Sequence, residues 1–368
     1  MNGDIGQLSA LPIVFAADGN FSVPLAIAVE SLLQSAHQGT RYDIHVLDDG
    51  VLGFAKRHLE GLHDRYTFSI TYHSVAEIVQ GVSTTRYFPR VSFARFMIPD
   101  LFSHAECNRI LYCDADVFVC RDLSELYAID MGRLPVAAVI EMGVKVMGAN
   151  RHLEEWSQNF EVRAKLDKTN YCNSGVLIFN CSEWTKGGYT EKIMKLARSE
   201  KGLKAKFPDQ DILNSVCLDF IYPLPPAYNS VPLYAQCYVK DCLEFKETLI
   251  QTPYPPAVLS EALMHPYIIH FAGQKPRVLE GARYPLEQRF IDFWAKSAWR
   301  DYMPYSPRIG SMSPSRFIKL NVPISSQLGV LRKELLKYTM ASCLPLPKRR
   351  HYAGQRDAIR GVLGRVGK

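Results

Sequence analysis

No run in this 368-residue chain approaches the ~18 consecutive apolar residues that a membrane-spanning helix needs. Its first ten residues hold Asp4 and no basic segment ahead of an apolar stretch, so a secretory leader is not expected. None of the nine cysteines forms a Cys, two residues, Cys pair, and their spacing is irregular. A structural zinc site and a disulfide scaffold are therefore set aside. Cys107, Cys113 and Cys120 lie in apolar sequence and read as reduced, mostly buried thiols of a cytosolic protein. Internal repeats and low-complexity tracts are absent too, which removes solenoids and disordered scaffolds.

What is present is ordinary in amount and uneven in place. Hydrophobic residues make up 47% and charged residues 22%, values that predict a packed core. The length suits one large α/β domain with an appendage, or two ordinary domains. The net charge of +6 is concentrated at one end: from Ser315 onward twelve basic residues face only Glu334 and Asp357. That tail carries +10 and residues 1–314 carry −4. A nucleic-acid binder would spread its cations over the folded face, so a weakly acidic body with a cationic anchor is expected instead.

Along the chain, Leu11–Ala17 reads as a strand that stops at Asp18, Gly19 and Asn20. Val23–Ser35 suits a helix, Tyr42–Leu47 a second strand, Lys56–Tyr66 a helix and Phe68–Tyr72 a third strand. This alternation predicts a parallel sheet covered on both faces, with ligands at the carboxyl ends of its strands. Arg109–Tyr112, Val136–Ile140, Val176–Phe179 and Tyr267–Phe271 are further strands, and Asp209–Leu218 is a helix entered at Pro208. Tyr222–Pro232, rich in proline, is expected to be irregular. Beyond Pro304 a linker leads to an amphipathic helix over Leu328–Tyr338 and a basic, proline-punctuated end.

Asp114 and Asp116 flank one small residue at the end of an apolar strand. Such carboxylates cost several kcal/mol in an apolar setting unless something positive compensates them, and a hard divalent cation bridging to a diphosphate would do so. The same spacing also occurs by chance in exposed loops. His270 closes a strand, where a core histidine bonded to a carbonyl is the plain alternative to a ligand. Gly273 and Lys275 favour the ligand, because glycine admits backbone N–H groups to a phosphate and lysine adds charge. Asp18 and Asn20 serve either as turn and cap or as nucleotide contacts. Asn173, Ser174 and Gly175 read as a turn, and Asp209, Gln210 and Asp211 as a helix opening. Together they also offer the acids and amides that sugar hydroxyls require.

Six segments in order carry a resemblance: Ile13–Asn20 (IVFAADGN), Ser92–Phe96 (SFARF), Ile110–Asp116 (ILYCDAD), Asn173–Asn180 (NSGVLIFN), Pro208–Asn214 (PDQDILN) and His270–Pro276 (HFAGQKP). The chain resembles glycosyltransferase family 8, retaining enzymes that include bacterial lipopolysaccharide galactosyltransferases and glucosyltransferases and glycogenin. The resemblance implies an α/β, Rossmann-like GT-A type fold with a mixed central sheet over residues 1–300. The basic, partly helical extension over 301–368 has two readings on its own residues. One is a solvated, loosely ordered tail; the other, expected here, is attachment to an anionic membrane surface through a helix with Lys and Arg beside apolar Leu328, Val330, Leu331, Leu335 and Leu336. The resemblance also implies a Mn²⁺-dependent hexosyltransferase, Mg²⁺ being the other candidate metal, with Asp114, Asp116 and His270 on the metal. Ala16, Asp18 and Asn20 would border uridine and Ala115 would lie beside the nucleotide. Arg95, Asn173, Asp209 and Gln210 would surround the sugar, with Asp209 and Gln210 catalytic, and Gly273 and Lys275 would meet the phosphates. A UDP-hexose would be the donor and a glycan or lipid-linked glycan the acceptor, with no nucleic acid as partner. The setting would be the cytoplasm, at the inner face of the cytoplasmic membrane.

Three positions depart from the family pattern. Glu141 stands where the galactosyltransferases have Asp, one residue separates Gly273 from Lys275 where two are common, and Arg277 replaces an aromatic. Two other classes remain on the residues alone: a silent carbohydrate or nucleotide binder on the same fold, and a sugar nucleotidyltransferase. The latter should have a glycine-rich basic loop after the first strand, where this chain has Ala16, Ala17, Asp18, Gly19 and Asn20.

Overall fold

The computed structural model describes residues 10–79, 90–102, 108–141, 170–232, 254–273, 285–302 and 322–341. It also describes Lys275, Pro276, Val278, Ala282, Pro304, Tyr305, Arg356, Asp357, Ile359, Arg360 and Leu363. Nine strands are defined in this set: β1 Leu11–Asp18, β2 Tyr42–Asp49, β3 Ser69–Ser74, β4 Arg109–Asp114, β5 Val117–Val119, β6 Val136–Ile140, β7 Cys172–Asn180, β8 Ile221–Leu224 and β9 Ile268–His270. Seven form one sheet in the order β3-β2-β1-β4-β7-β6-β8, and β5 and β9 form a separate ribbon.

The first half of the sheet follows the sequence pattern. β1 pairs in parallel with β2 and β4, and β2 in parallel with β3. The Ser22–Ser35 and Gly53–Gly61 helices form the crossovers between β1, β2 and β3. Alternation along the strands divides the core. Ile13, Phe15, Leu111, Cys113, Val176 and Ile178 pack on the face covered by Val23, Ile27 and Leu32. Val14, Ala16, Ile110, Tyr112, Leu177 and Phe179 pack on the other, around Trp184. Both faces are thus covered, as a parallel sheet requires. Beyond β4 one strand reverses direction: β7 runs antiparallel to β4 and β6, whereas β6 and β8 run with β4, so the sheet is mixed.

Three local expectations are corrected. Asn173, Ser174 and Gly175 are not a turn; they lie inside β7, which is buried throughout. Their polar side chains masked the strand, and hydrogen bonds to neighbouring polar groups are what permit their burial. Tyr222–Pro232 is not wholly irregular: it supplies β8, parallel to β6, and a 3-10 turn at Pro226–Asn229. Pro223 is tolerated because β8 lies at the sheet edge. Cys120 is only half-buried, unlike Cys113, and burial pushes its thiol up to about 11. Cys107 lies outside the described residues.

The helix near the C-terminus spans Ile324–Ala341, longer than its apolar pattern suggested. Asp301 holds its first turn, accepting from the Ser325 N–H at 3.0 Å and the Ser325 hydroxyl at 2.6 Å. The apolar set expected on one face divides. Leu328 and Leu335 pack with Ile324 and Tyr338 against the sheet core, whereas Val330 and Leu336 are exposed; the Leu331 side chain lies outside the described set. Most of the basic end beyond Ala341 lies outside it as well. No helix among the described residues is long and apolar enough to cross a membrane.

Ile324 is 1% exposed and Leu336 63%. Ile324→Ala should therefore lower stability in urea unfolding by about 2–4 kcal/mol, and Leu336→Ala by no more than about 0.5 kcal/mol. Equal effects would mean that this helix does not share the body's core.

Candidate active site

Register builds the site. β1 and β4 lie side by side with Ala16 opposite Asp114, so their carboxyl ends open at one edge of the sheet. Ala16, Asp18, Phe21, Val91, Ser92, Arg95, Tyr112, Asp114 and Ala115 line a recess there of about 200 Å³. The chain then turns through Ala115 and Asp116 into β5, whose Val117 pairs with His270 of β9. This short ribbon carries His270, 154 positions beyond Asp116 by numbering, to the two carboxylates.

His270 Nε2 lies 3.3 Å from Asp116 Oδ1 and 3.7 Å from Asp114 Oδ2. One ligand atom from each of the three residues falls within 4.8 Å of the others. Asp116 and His270 are buried, while the Asp114 side chain keeps 25% exposure. Two carboxylate oxygens and an imidazole nitrogen converging beside an open recess suit a divalent cation of the Mn²⁺ or Mg²⁺ kind. Gly175 lets them converge. A Cβ there would lie 2.3 Å from His270 Cε1 and 2.8 Å from Asp114 Oδ2.

The surrounding cations are arranged to hold this charge. Buried Arg95 reaches Asp114 Oδ1 and Asp209 Oδ2, each at 3.1 Å, and donates to the Ser174 carbonyl at 2.8 Å. Tyr112 donates its hydroxyl to Asp114 Oδ1 at 2.6 Å. Lys275 forms an ion pair with Asp116 Oδ2 and donates to the Phe271 carbonyl at 3.0 Å. Burial raises the Asp114 carboxyl above the ordinary range despite Arg95, and neighbouring Asp116 adds to the rise. For Asp116 burial pulls the same way, yet Lys275 and His270 overcome it and depress its pKa. Burial opposes charge on His270, but Asp116 and Asp114 raise its pKa. Burial likewise opposes charge on Arg95, and Asp114 chiefly overrides it.

The residues named from sequence fall into two groups. Asp114, Asp116, His270, Lys275, Arg95, Asp209, Gln210 and Asn173 are connected by direct bonds or through Ser174 and Asn229. Ser174 donates its hydroxyl to Asp209 Oδ2 at 2.9 Å and its N–H to Gln210 Oε1 at 3.2 Å. Asn173 is turned inward, donating to Glu141 Oε2 at 2.6 Å. Ala16, Asp18 and Ala115 line the recess, where Asp18 also acts as a cap, accepting from the N–H groups of Asn20 and Phe21 at 2.8 and 3.1 Å. Asn20 sits exposed on that turn, outside the recess lining, where Phe21 stands instead. Gly273 adopts a left-handed φ of 74°, which glycine favours, just ahead of Lys275. Gln274 and Arg277 lie outside the described residues.

Sequence reasoning passed over Tyr112, Asn229 and Tyr305, and it read Gly175 with the turn at Asn173 and Ser174 rather than as the gap that admits His270. Tyr112 looked like core, and period-2 alternation could have set it beside Asp114 on the strand. Asn229 sat in a segment expected to be irregular. The Tyr305 hydroxyl is buried without a hydrogen-bond partner among the described residues, and its ring centre lies 5.7 Å from Lys275 Nζ.

Comparison with known proteins agrees with this geometry. The family model for glycosyl transferase family 8 matches residues 12–276. General stress protein A of Bacillus subtilis (strain 168) is 26% identical over 289 residues, 78% of this chain and 94% of that protein. A lipopolysaccharide 1,2-glucosyltransferase of Escherichia coli is 27% identical over 299 residues, 81% of each. Among solved structures, the galactosyltransferase LgtC in complex with donor and acceptor sugar analogs aligns with a TM-score of 0.57 at 22% identity, over 78% of this chain and 96% of that one. The bifunctional glycosyltransferase WbbM aligns with a TM-score of 0.63 at 22% identity, over 79% of this chain; the chain spans 50% of that protein. The fold is therefore that of the GT-A type glycosyltransferases.

Gly175→Ala should drive the imidazole away from the carboxylates and weaken divalent-cation binding about tenfold or more in calorimetry. Unchanged affinity would mean that the three groups do not act on one ion.

Proposed function

The chain belongs to glycosyl transferase family 8, and on that premise we propose that it is a retaining hexosyltransferase that uses a UDP-sugar and Mn²⁺ to extend a glycan. The observation that carries this reading is the convergence of Asp114, Asp116 and His270 within 4.8 Å beside the recess at the ends of β1 and β4.

In this reading Asp114, Asp116 and His270 hold the metal. The chemistry supplied by bound Mn²⁺ or Mg²⁺ is neutralisation of charge on the departing diphosphate. Ala16, Asp18, Asn20 and Ala115 border the nucleotide, with the Phe21 ring beside them. Lys275 exchanges Asp116 for the phosphates, which it approaches past Gly273. Arg95 holds Asp114 and Asp209 in place, and Asn173 borders the sugar from behind, held by Glu141.

Asp209 and Gln210 occupy the first turn of the Pro208–Cys217 helix. Asp209 is engaged by Arg95 and Ser174, and Gln210 is a neutral amide; neither is placed as a strong nucleophile. Retention by front-side attack fits such a site, with these oxygens stabilising an oxocarbenium-like centre. The attacking hydroxyl then passes its proton to the leaving phosphate.

For the acceptor we favour a lipopolysaccharide core or another cell-surface glycan. The printed names of the Escherichia coli relative and of a Salmonella typhimurium lipopolysaccharide 1,3-galactosyltransferase, 24% identical over 291 residues, support it. The +10 tail supports attachment of the extension, residues 301–368, to anionic lipid at the inner face of the cytoplasmic membrane.

Thermal-shift screening of UDP-sugars with Mn²⁺ should identify one UDP-hexose, whose hydrolysis or transfer then depends on the metal. Asp114→Asn, Asp116→Asn and His270→Ala should each lower kcat/KM by about 10²–10³. Metal-independent binding without turnover on mixed glycan acceptors would instead mark a silent binding protein. Replacing Lys348, Arg349 and Arg350 by Glu should weaken sedimentation with phosphatidylglycerol vesicles at least about tenfold, with unchanged binding contradicting the attachment.

A further inference from the structure

Glu141, Asn173, Asn229 and His270 come from four separate segments and form one hydrogen-bonded chain, all at least nine-tenths buried. Glu141 follows β6, Asn173 lies in β7, Asn229 ends the Pro226–Asn229 turn and His270 ends β9. Glu141 Oε2 accepts from Asn173 Nδ2 at 2.6 Å, and Asn173 Oδ1 accepts from Asn229 Nδ2 at 2.8 Å. Asn229 Oδ1 in turn lies 2.8 Å from His270 Nδ1.

The direction of every bond in this chain is fixed. The Gly175 backbone N–H can only donate, and it meets Asn173 Oδ1 at 2.8 Å. The Asn173 oxygen therefore faces Gly175, and its NH₂ faces the Glu141 carboxylate. Asn229 must then present its NH₂ to Asn173 and its oxygen to His270. An amide oxygen cannot donate, so the proton of a neutral His270 ring resides on Nδ1. The Nε2 lone pair is left toward Asp114 and Asp116.

We infer that Asn229 is a positioning residue that sets the tautomer and angle of His270 for metal binding, with Glu141 and Asn173 locking its amide. This rests on the reading of Asp114, Asp116 and His270 as metal ligands. Backbone bonds anchor the same pair of segments: His270 N–H donates to the Ser230 carbonyl at 2.9 Å, and Ser230 N–H to the Ile268 carbonyl at 2.9 Å. Partners of this kind orient a ligating imidazole and raise its basicity, and their loss costs about 10- to 100-fold in metal affinity.

The test is Mn²⁺ calorimetry on the full chain, with melting temperatures and histidine ¹⁵N NMR of the metal-free protein at alkaline pH. Wild type should show His270, assigned by its loss in His270→Ala, protonated at Nδ1. Asn229→Ala should bind Mn²⁺ about 10- to 100-fold more weakly. Asn229→Asp keeps the acceptor for Nδ1–H but turns an oxygen toward Asn173 Oδ1. Its melting temperature should fall while its affinity stays near wild type. Asn229→Ala binding as tightly as wild type, Asn229→Asp weakening in step with Asn229→Ala, or a wild-type proton on Nε2 would each overturn the inference alone. Absence of Mn²⁺ binding by wild type would overturn the metal reading beneath it.

Discussion

Two carboxylates gathered at the rim of a hydrophobic sheet create a charge that the surrounding structure has to balance. Asp114 and Asp116 sit at the end of β4, and burial raises the one while Lys275 and His270 depress the other. Left without cations such a pair would protonate or swing into water. Arg95, Lys275 and His270 prevent that, and each arrives from a different part of the chain. Much of the tertiary arrangement at this edge follows from bringing those three groups to the same place.

The two halves of the sheet divide the work. The parallel half ends in the recess beside Ala16 and Asp114, the position where ligands collect in such sheets. The one reversed strand, β7, threads past it, so that Asn173, Ser174 and Gly175 reach the carboxylates as buried strand. Gly175 leaves room for the imidazole, Ser174 ties Asp209 and Gln210 to the strand, and Asn173 joins the chain that ends at His270. Three consecutive residues thus serve three neighbours. The Ile324–Ala341 helix lies on the body by Ile324 and Tyr338 and leaves Val330, Leu336 and Met340 exposed.

The parallel half of the fold was legible because β1 and β4 are apolar on both faces and β1 and β2 end at clear turn residues, Asp18 to Asn20 and Asp48 to Gly50. The Asp114, Asp116 and His270 set was legible for a related reason: charged residues that interrupt or close apolar strands stand out. β7 was read as beginning at Val176 rather than Cys172 because the polar side chains of Asn173 and Ser174, satisfied by tertiary hydrogen bonds, look like a turn when those partners are unseen. Asn229 was invisible for the same cause, since its partners lie 41 and 56 positions away. The apolar residues of the last helix read as one face, but packing against the core selected Leu328 and Leu335 and left Leu336 in solvent. Local pattern gave the elements, whereas the bonds that turn them into a site are long-range.

The most direct measurement is anomalous diffraction at the manganese edge from crystals grown with Mn²⁺ and UDP. The account predicts a single strong peak bounded by Asp114, Asp116 and His270 Nε2, touching the diphosphate, with Lys275 turned from Asp116 to the phosphates. Bound UDP with no manganese at those three side chains, or with manganese held elsewhere, would contradict it.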